Sequence, residues 1–361
     1  MKRMNFRRSD ADPCIYFKWS KVNGLIVWIS WIDDCLCLGN EHEVKIAKDE
    51  MLKQFECDDV GFPVEYVGCK LNFDKEEKSL TFTQPVMIQS FSDEYETQEC
   101  INDPVTPMEP GRILVSGTEG DLVAKVRQTY YRSGVGKLLH MMSWSRPEIQ
   151  NSVRELARHF QGAVDDHVKA MHRVMQYVIS TPNRRLTLKP NRVWDGNDRN
   201  FEFIISGRSD SNFATCPDTR RSVSGWSVKF ENCPIINKSV MQKVVALSVT
   251  EAELYASVQC AQDMLFVWRI IKSIGLKVKL PMILELDNKG AVDIANNWSV
   301  AGRTKHIDTK QYFVRQLKED GIIKVRWIPG KMNEADLYTK NLPGPDFRKH
   351  TKVFVGEDEH S

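Results

Sequence analysis

The chain has 361 residues, long enough for two or three domains and a large buried core. Its 50 Lys and Arg nearly balance its 48 Asp and Glu, and the net charge of +2 excludes a polycation that grips nucleic acid with its whole surface; a nucleic-acid surface must be local. Nine cysteines form no CxxC pair and no Cys/His zinc spacing, so reduced thiols and an intracellular place, cytoplasmic or nuclear, are expected.

The basic start MKRMNFRRSD runs into acids rather than an apolar stretch, which argues against a secretory signal. The longest apolar run, Leu25 to Ile32, is stopped by Asp33 and Asp34 and is too short to span a membrane, so no membrane partner is expected. Residues from about 14 to 90 read as strands and short helices. In GLIVWISWIDDCLCLGN, two apolar runs flank Asp33-Asp34, which predicts a β-hairpin with an acidic turn. A helix is expected from about Glu43 to Phe55. The Pro- and Gly-bearing DPVTPMEPGRILVSGTEG then reads as a linker or long loop.

From about 122 to 182 the pattern turns helical. Ser145 is suited to cap a helix with Pro147 in its first turn. Ile149, Val153, Leu156 and Phe160 recur at helical spacing, and so do Val168, Met171, Met175 and Val178, which predicts two faces packed into a core. From about 196 strands return. Phe201, Phe203 and Ile205 alternate, as do Trp226, Val228 and Phe230, and a third strand is expected through Ile235 to Val240. A long helix follows from about Thr250. Then come a strand (Met282 to Leu286), two helices (Gly290 to Asn296 and Asp308 to Glu319), a strand (Ile322 to Ile328) and a helix starting near Asn333. The order is βββαβααβα, with no internal repeat.

Four acids fall at telling places in that order: Asp210 after the first strand, Glu253 in the first turn of the long helix, Asp287 at the end of the fourth strand and Asp336 at the opening of the last helix. Singly, each reads as a turn former, a cap or a dipole partner. Together, carboxylates at mostly apolar structural edges repel one another unless a cation neutralises them. Oxygen ligands without Cys or His favour Mg²⁺ or Mn²⁺ over zinc. If the strands of Asp210 and Asp287 are neighbours, the long helix can bring Glu253 beside both. Two ions could then be bridged, one activating water and the other stabilising the leaving oxygen of a phosphodiester. Glu251 and Asp293 compete for the same role; Glu253 fits better, because it directly precedes the apolar face that begins at Leu254.

Whole segments carry a resemblance. SDSNFATCPDTRRSVSGW, KVVALSVTEAELYAS, LELDNKGAVDIANN, GRTKHID and IPGKMNEADLYTKNL closely resemble the ribonuclease H domain of copia-type LTR retrotransposon Pol polyproteins. The resemblance implies that Asp210, Glu253, Asp287 and Asp336 are metal-binding catalytic acids, that the cofactor is two Mg²⁺ or Mn²⁺ ions, and that the substrate is the RNA strand of an RNA–DNA hybrid. The His-bearing loop of cellular ribonucleases H is replaced here by WIPGKMN, so its role does not carry over. Asn288 and Lys289 are candidates to touch a phosphate or sugar. So are Arg303 and Lys305, in a stretch from Arg303 to Lys331 that holds eight Lys or Arg against three Asp or Glu. Upstream, ADPCIYFKW, WIDD, VEYVGCKLNF, LTFTQPVMI and VTPMEP resemble the end of the same family's reverse transcriptase palm. There Asp33-Asp34 is usually preceded by Tyr-Val, and here by Trp31-Ile32. YRSGVGKLLHMMSWSRPEIQNSVRELARHF resembles the segment joining polymerase to ribonuclease H.

The expected fold is therefore α/β, or α+β overall. A ribonuclease-H-like mixed five-stranded sheet with helices lies at the C-terminal end, preceded by a truncated palm and a helical connection. The expected division is a partial palm and thumb region over 1–105, a helical connection over 106–195, a ribonuclease-H-like domain over 196–345, long enough to fold alone, and a tail over 346–361. The remainder of the polyprotein is an expected partner. The other palm acid of the family lies upstream of the matched segment, so no polymerase activity is expected from this fragment alone. The alternative is a catalytically inactive remnant or nucleic-acid-binding relic. An integrase-type nuclease is disfavoured by the Glu between the first two Asp residues.

Overall fold

The structure is a computed structural model that describes residues 1–95, 97, 103–296 and 308–354. Four strands open the chain: β1 (Arg7–Arg8), β2 (Ile15–Ser20), β3 (Gly24–Trp31) and β4 (Asp34–Leu38), in the antiparallel order β1-β2-β3-β4. The predicted hairpin is β3–β4, but its register pairs Trp31 with Asp34. The turn is thus Ile32-Asp33 rather than the acid pair, with Ile32 at a φ of 50°. Helix α1 (Glu41–Gln54) follows, capped by the Asn40 side chain, which accepts from the His42 amide. Next come β5 (Glu65–Tyr66), β6 (Cys69–Asp74), β7 (Ser79–Thr83) and α2 (Pro85–Glu94).

The middle of the chain is helical, with α3 (Lys125–Trp144), α4 (Gln150–Ala157) and α5 (Asp165–Ser180). Ser145 does not cap α4. It ends α3 and donates from its hydroxyl to Gln84, while Pro147–Ile149 form a 3-10 turn leading into α4. Ile149, Val153 and Leu156 are fully buried, as are Val168, Met171, Met175 and Val178, so both apolar stripes face the core as their spacing predicts. Strand β8 (Leu186–Leu188) then returns to pair with β7, closing a second sheet in the order β5-β6-β7-β8.

The last region holds β9 (Glu202–Phe203), β10 (Ile205–Asn212), β11 (Val223–Phe230), β12 (Cys233–Met241), α6 (Val249–Ser273), β13 (Lys277–Val278), β14 (Met282–Leu286), α7 (Lys289–Asn296), α8 (Asp308–Glu319), β15 (Ile323–Trp327) and α9 (Gly344–Thr351). The expected first strand is split. Glu202–Phe203 pair with β13, and β10 runs seven residues beyond Ile205, so Asp210 lies within a strand and not after it. The main sheet has the order β12-β11-β10-β14-β15, antiparallel on the β12-β11-β10 side and parallel from β10 through β14 to β15. This is the ribonuclease-H-like mixed five-stranded sheet expected from the sequence. Helix α6 packs across β10 and β11, and it comes so close that a Cβ on Gly207 would lie 2.6 Å from both Cys260 Sγ and Met264 Sδ.

The expected helix near Asn333 is instead two 3-10 turns, Gly330–Met332 and Glu334–Tyr338, with α9 as a separate helix. The second turn does not belong to the core under α6. Ala335, Leu337, Tyr338, Leu342, Phe347 and Phe354 pack with Tyr131, Leu138, Ile149, Met171 and Tyr177 of the helical region. Among the described residues no helix is long and apolar enough to cross a membrane.

Candidate metal centre

Sheet register places the first two acids. In the parallel pair, Ser206 is opposite Ile283 and Arg208 is opposite Glu285; continued two residues, the same register sets Asp210 level with Asp287. On its other side Asp210 pairs with Gly225. The missing side chain at Gly225 is what lets the Glu334–Tyr338 segment approach, because a Cβ there would meet Thr339 Cγ2 at 2.6 Å and Ala335 O at 3.0 Å.

Helix α6 delivers Glu253 in its first turn. Its start is set by the Ser248 cap and by Glu251 reaching back to the chain before it. Ser248 Oγ accepts from the Glu251 amide, and Glu251 Oε2 accepts from the Leu247 amide at 2.7 Å. Glu251 is thereby committed to the helix end, and Asp293 is exposed on α7. Glu253 Oε1 accepts from the amide and the hydroxyl of Ser211, at 3.2 and 3.0 Å. Its second oxygen, Oε2, is buried without a protein hydrogen-bond partner.

Asp210, Glu253 and Asp287 each offer an oxygen within 4.8 Å of the other two. Asp210 and Glu253 are almost fully buried, and Asp287 is half-buried. Burial pushes the Asp210 carboxyl up to about 7, opposed by Lys340 and reinforced by Asp336. Glu253 is held well above the usual carboxylate range by burial, and then by Asp210 and Asp287. Asp287 is raised by burial and by Asp336, against Lys340 and Asn333. Three crowded carboxyls that resist ionisation, one with an unmet buried oxygen, form an all-oxygen donor set suited to a hard divalent cation.

Asp336 stands apart from the triad. It lies in the 3-10 turn, partly exposed, with Oδ1 2.5 Å from Lys340 Nζ. The same ammonium is 3.2 Å from Asp210 Oδ2, an oxygen that also accepts from the Thr339 hydroxyl. Asn333, fully buried, fixes the turn to the sheet by donating to Ser209 O at 3.0 Å and accepting from the Ala335 amide. Lys340, Thr339, Ser211 and Asn333 are absent from the set read from the sequence. Only the Asp336–Lys340 spacing, one helical turn, carries a signal for any of them.

The other singled-out residues fall as follows. Asn288 uses its side-chain oxygen to accept from the Ala291 amide at the start of α7. Lys289 is exposed, with its ammonium 4.9 Å from the centre of the Trp327 ring. Arg303 and Lys305 lie outside the described residues. Asp33 and Asp34 are exposed on the N-terminal hairpin, and among the described residues no third metal-ligating side chain joins them.

The strand order and the acids beside it define a ribonuclease-H-like domain. No family model matches the chain. Over 352 residues it is 27% identical to the retrovirus-related Pol polyprotein from transposon TNT 1-94 of Nicotiana tabacum, an alignment covering 96% of this chain and 26% of that protein. It is also 27% identical over 252 residues to the retrovirus-related Pol polyprotein from transposon RE1 of Arabidopsis thaliana, covering 70% of this chain and 16% of the relative. The chain is therefore a homologue of retrovirus-related Pol polyproteins of transposons, as its motifs imply, and it spans about a quarter or less of the length of these relatives. Among solved structures it is similar to LC11-RNase H1 from compost, at 15% identity and a TM-score of 0.30, covering 38% of this chain and 92% of that one. A second structure of LC11-RNase H1, in complex with an RNA/DNA hybrid, gives 14% identity and a TM-score of 0.28, covering 36% of this chain and 88% of that chain.

Proposed function

We propose that this chain hydrolyses the RNA strand of RNA–DNA hybrids, with Asp210, Glu253, Asp287 and Asp336 as the acids of a divalent-metal site. The observation that carries this reading is the triad itself, in which three carboxylates converge at the parallel edge between β10 and β14 and one buried oxygen of Glu253 has no protein partner. Bound Mg²⁺ or Mn²⁺ would neutralise these acids and supply an activated water together with charge stabilisation of the departing oxygen.

The chain's own residues do the positioning. Ser211 holds one oxygen of Glu253 and leaves the other free for the site. Thr339 fixes Asp210 Oδ2 by donating its hydroxyl, and Lys340 pairs with the same oxygen. Trp327 donates from its indole to the Asp287 carbonyl at 2.9 Å, which ties the end of β14 to β15. Lys289, exposed beside Trp327, would meet a phosphate of a strand crossing the site. Hybrid recognition would fall to donors that reach 2′-hydroxyls across the minor groove. In the parent polyprotein this activity would act beside the polymerase whose palm the N-terminal segments resemble.

The test is cleavage of a labelled RNA–DNA hybrid by the whole chain. RNA is expected to be cut with Mg²⁺ or Mn²⁺ and spared with EDTA. Asp287→Asn is expected to lower the rate by roughly a hundredfold or more, the scale on which loss of one preorganised charge-handling group is felt. Unchanged cleavage by that variant would remove the triad from the reaction. No cleavage by wild type with either ion would leave an inactive remnant.

A further inference from the structure

Among the described residues, Lys340 is the one cation that bridges acids of this site. Its ammonium spans Asp210 Oδ2 at 3.2 Å and Asp336 Oδ1 at 2.5 Å, while the Asp210 carboxyl also lies within 4.8 Å of Glu253 and Asp287. Asp210 is thus shared between a three-carboxylate pocket suited to a divalent ion and a second position already held by a positive charge. The backbone beneath Lys340 is firmly placed. Thr339 bonds Asp210, and Asn341 accepts from Asn151 and Ser152 of α4 while donating to Arg112 O at 2.7 Å. The side chain itself is more than a third exposed, so its ammonium can swing outward without disturbing that anchor.

We infer that Lys340 is a tethered counter-ion: it fills the Asp210–Asp336 position in the free protein, so that only the Asp210–Glu253–Asp287 position takes a divalent ion before substrate arrives. An ammonium and a divalent cation repel strongly at the separations of this site, and both draw on Asp210. Filling the second position therefore requires Lys340 to leave. A phosphate of the incoming strand is the group that can draw it out, since lysine binds phosphate as a mobile point charge. Lys340 acts here as a positioning residue that couples substrate entry to completion of the metal site. This rests on the hydrolytic reading above.

The test counts Mn²⁺ bound per chain by electron paramagnetic resonance, without substrate. Wild type is expected to hold one ion tightly and a second at least tenfold more weakly. K340A and K340Q should bind the second ion at least tenfold more tightly than wild type, and K340R should behave as wild type. In hybrid cleavage, K340A should reach its maximal rate at a lower Mg²⁺ concentration. Two ions of comparable affinity in wild type would overturn the inference, a result that depends on no variant folding. So would an unshifted second ion in folded K340A. If wild type cleaves hybrid while the ion counts do not respond, only this inference falls. If wild type neither binds Mn²⁺ nor cleaves, the hydrolytic reading falls with it.

Discussion

Asp210 is the residue on which the site turns, and its neighbours explain its behaviour. It pairs with a glycine, shares a level with Asp287 and faces Glu253 from α6. Gly225→Ala would drive a methyl into Thr339 and the Ala335 carbonyl, a strain of about 1–3 kcal/mol unless the turn retreats. The expected result is a lower Tm, together with hybrid cleavage reduced more than the stability loss explains, because Lys340 and Asp336 move with the turn. The raised pKa gives a second prediction. Asp210 titrates near 7 in the fold against 3.8 as a free group, so its contribution to stability is complete below about pH 4 and is lost as pH climbs through 7. Glu253 and Asp287 are shifted in the same direction. In EDTA, Asp210→Asn should therefore gain in Tm relative to wild type between about pH 4 and 7, and added Mg²⁺ should raise wild type more than the variant. Parallel melting curves across that window would contradict the charge crowding described here. Comparing variant with wild type also removes the opposite contribution of buried His159, whose pKa is lowered to about 4.

At the scale of elements, the turn Glu334–Tyr338 carries Asp336 on one side and core residues on the other. Ala335, Leu337 and Tyr338 enter the core built by α3, α4 and α5, while Asn333 and Thr339 bond β10 and Asp210. The turn is therefore a rivet between the helical region and the sheet. Leu337→Ala removes a nearly fully buried side chain and is expected to cost about 2–5 kcal/mol. If the helical core positions the site, the variant should also need more Mn²⁺ for half-maximal cleavage at a temperature where it remains folded. Helix α4 adds a second link. Its buried Gln150 donates to Asn237 O at 2.7 Å, and Arg154 donates to Ser239 Oγ at 2.9 Å, both on β12 at the edge of the sheet. A polar helix face buried against an edge strand covers backbone that would otherwise be open to pairing with another chain.

At the scale of the whole molecule, the last region and the helical region share one apolar core. Residues 196–345 have the length of a domain, but four of their side chains, Ala335, Leu337, Tyr338 and Leu342, are buried in the core formed by the helical region. Expressed alone, 196–345 is expected to expose the apolar side of the Glu334–Tyr338 turn, to aggregate or melt at low temperature, and to fall short of the hybrid cleavage proposed for the whole chain. Gel filtration and circular dichroism of the two proteins would decide this; a monomeric, fully active short segment would refute it. At the other end, Trp31 and Ile32 at the tip of the β3–β4 hairpin are exposed, as are Val60, Phe62 and Val64.

Periodicity and motif spacing placed the main elements of this chain, because alternation and the 3.6-residue repeat are local consequences of burying one face. The strands of the main sheet, the long helix that follows the first three of them, the two apolar helix faces and three convergent acids were legible in that way, whereas the helix expected near Asn333 is two 3-10 turns. The acids stood out as carboxylates set into otherwise apolar patterns, although Asp210 lies inside β10 and Asp336 inside a 3-10 turn. The split of the first strand, the Ile32-Asp33 turn and the 3-10 geometry around Asp336 were not legible, since they depend on pairing partners distant in sequence. Only three dimensions set Glu253 beside Asp210 and Asp287 and engage Glu251 with Ser248 and Leu247 at the start of the helix. Sequence alone determined the chemistry available, a set of hard oxygen donors on a mixed sheet. The tertiary structure decided who shares it. It set Asp210 level with Asp287 through strand register, separated Asp336 from the triad, and brought Lys340 between Asp210 and Asp336, because long-range packing against the helical core, not local spacing, fixes where that last turn lies.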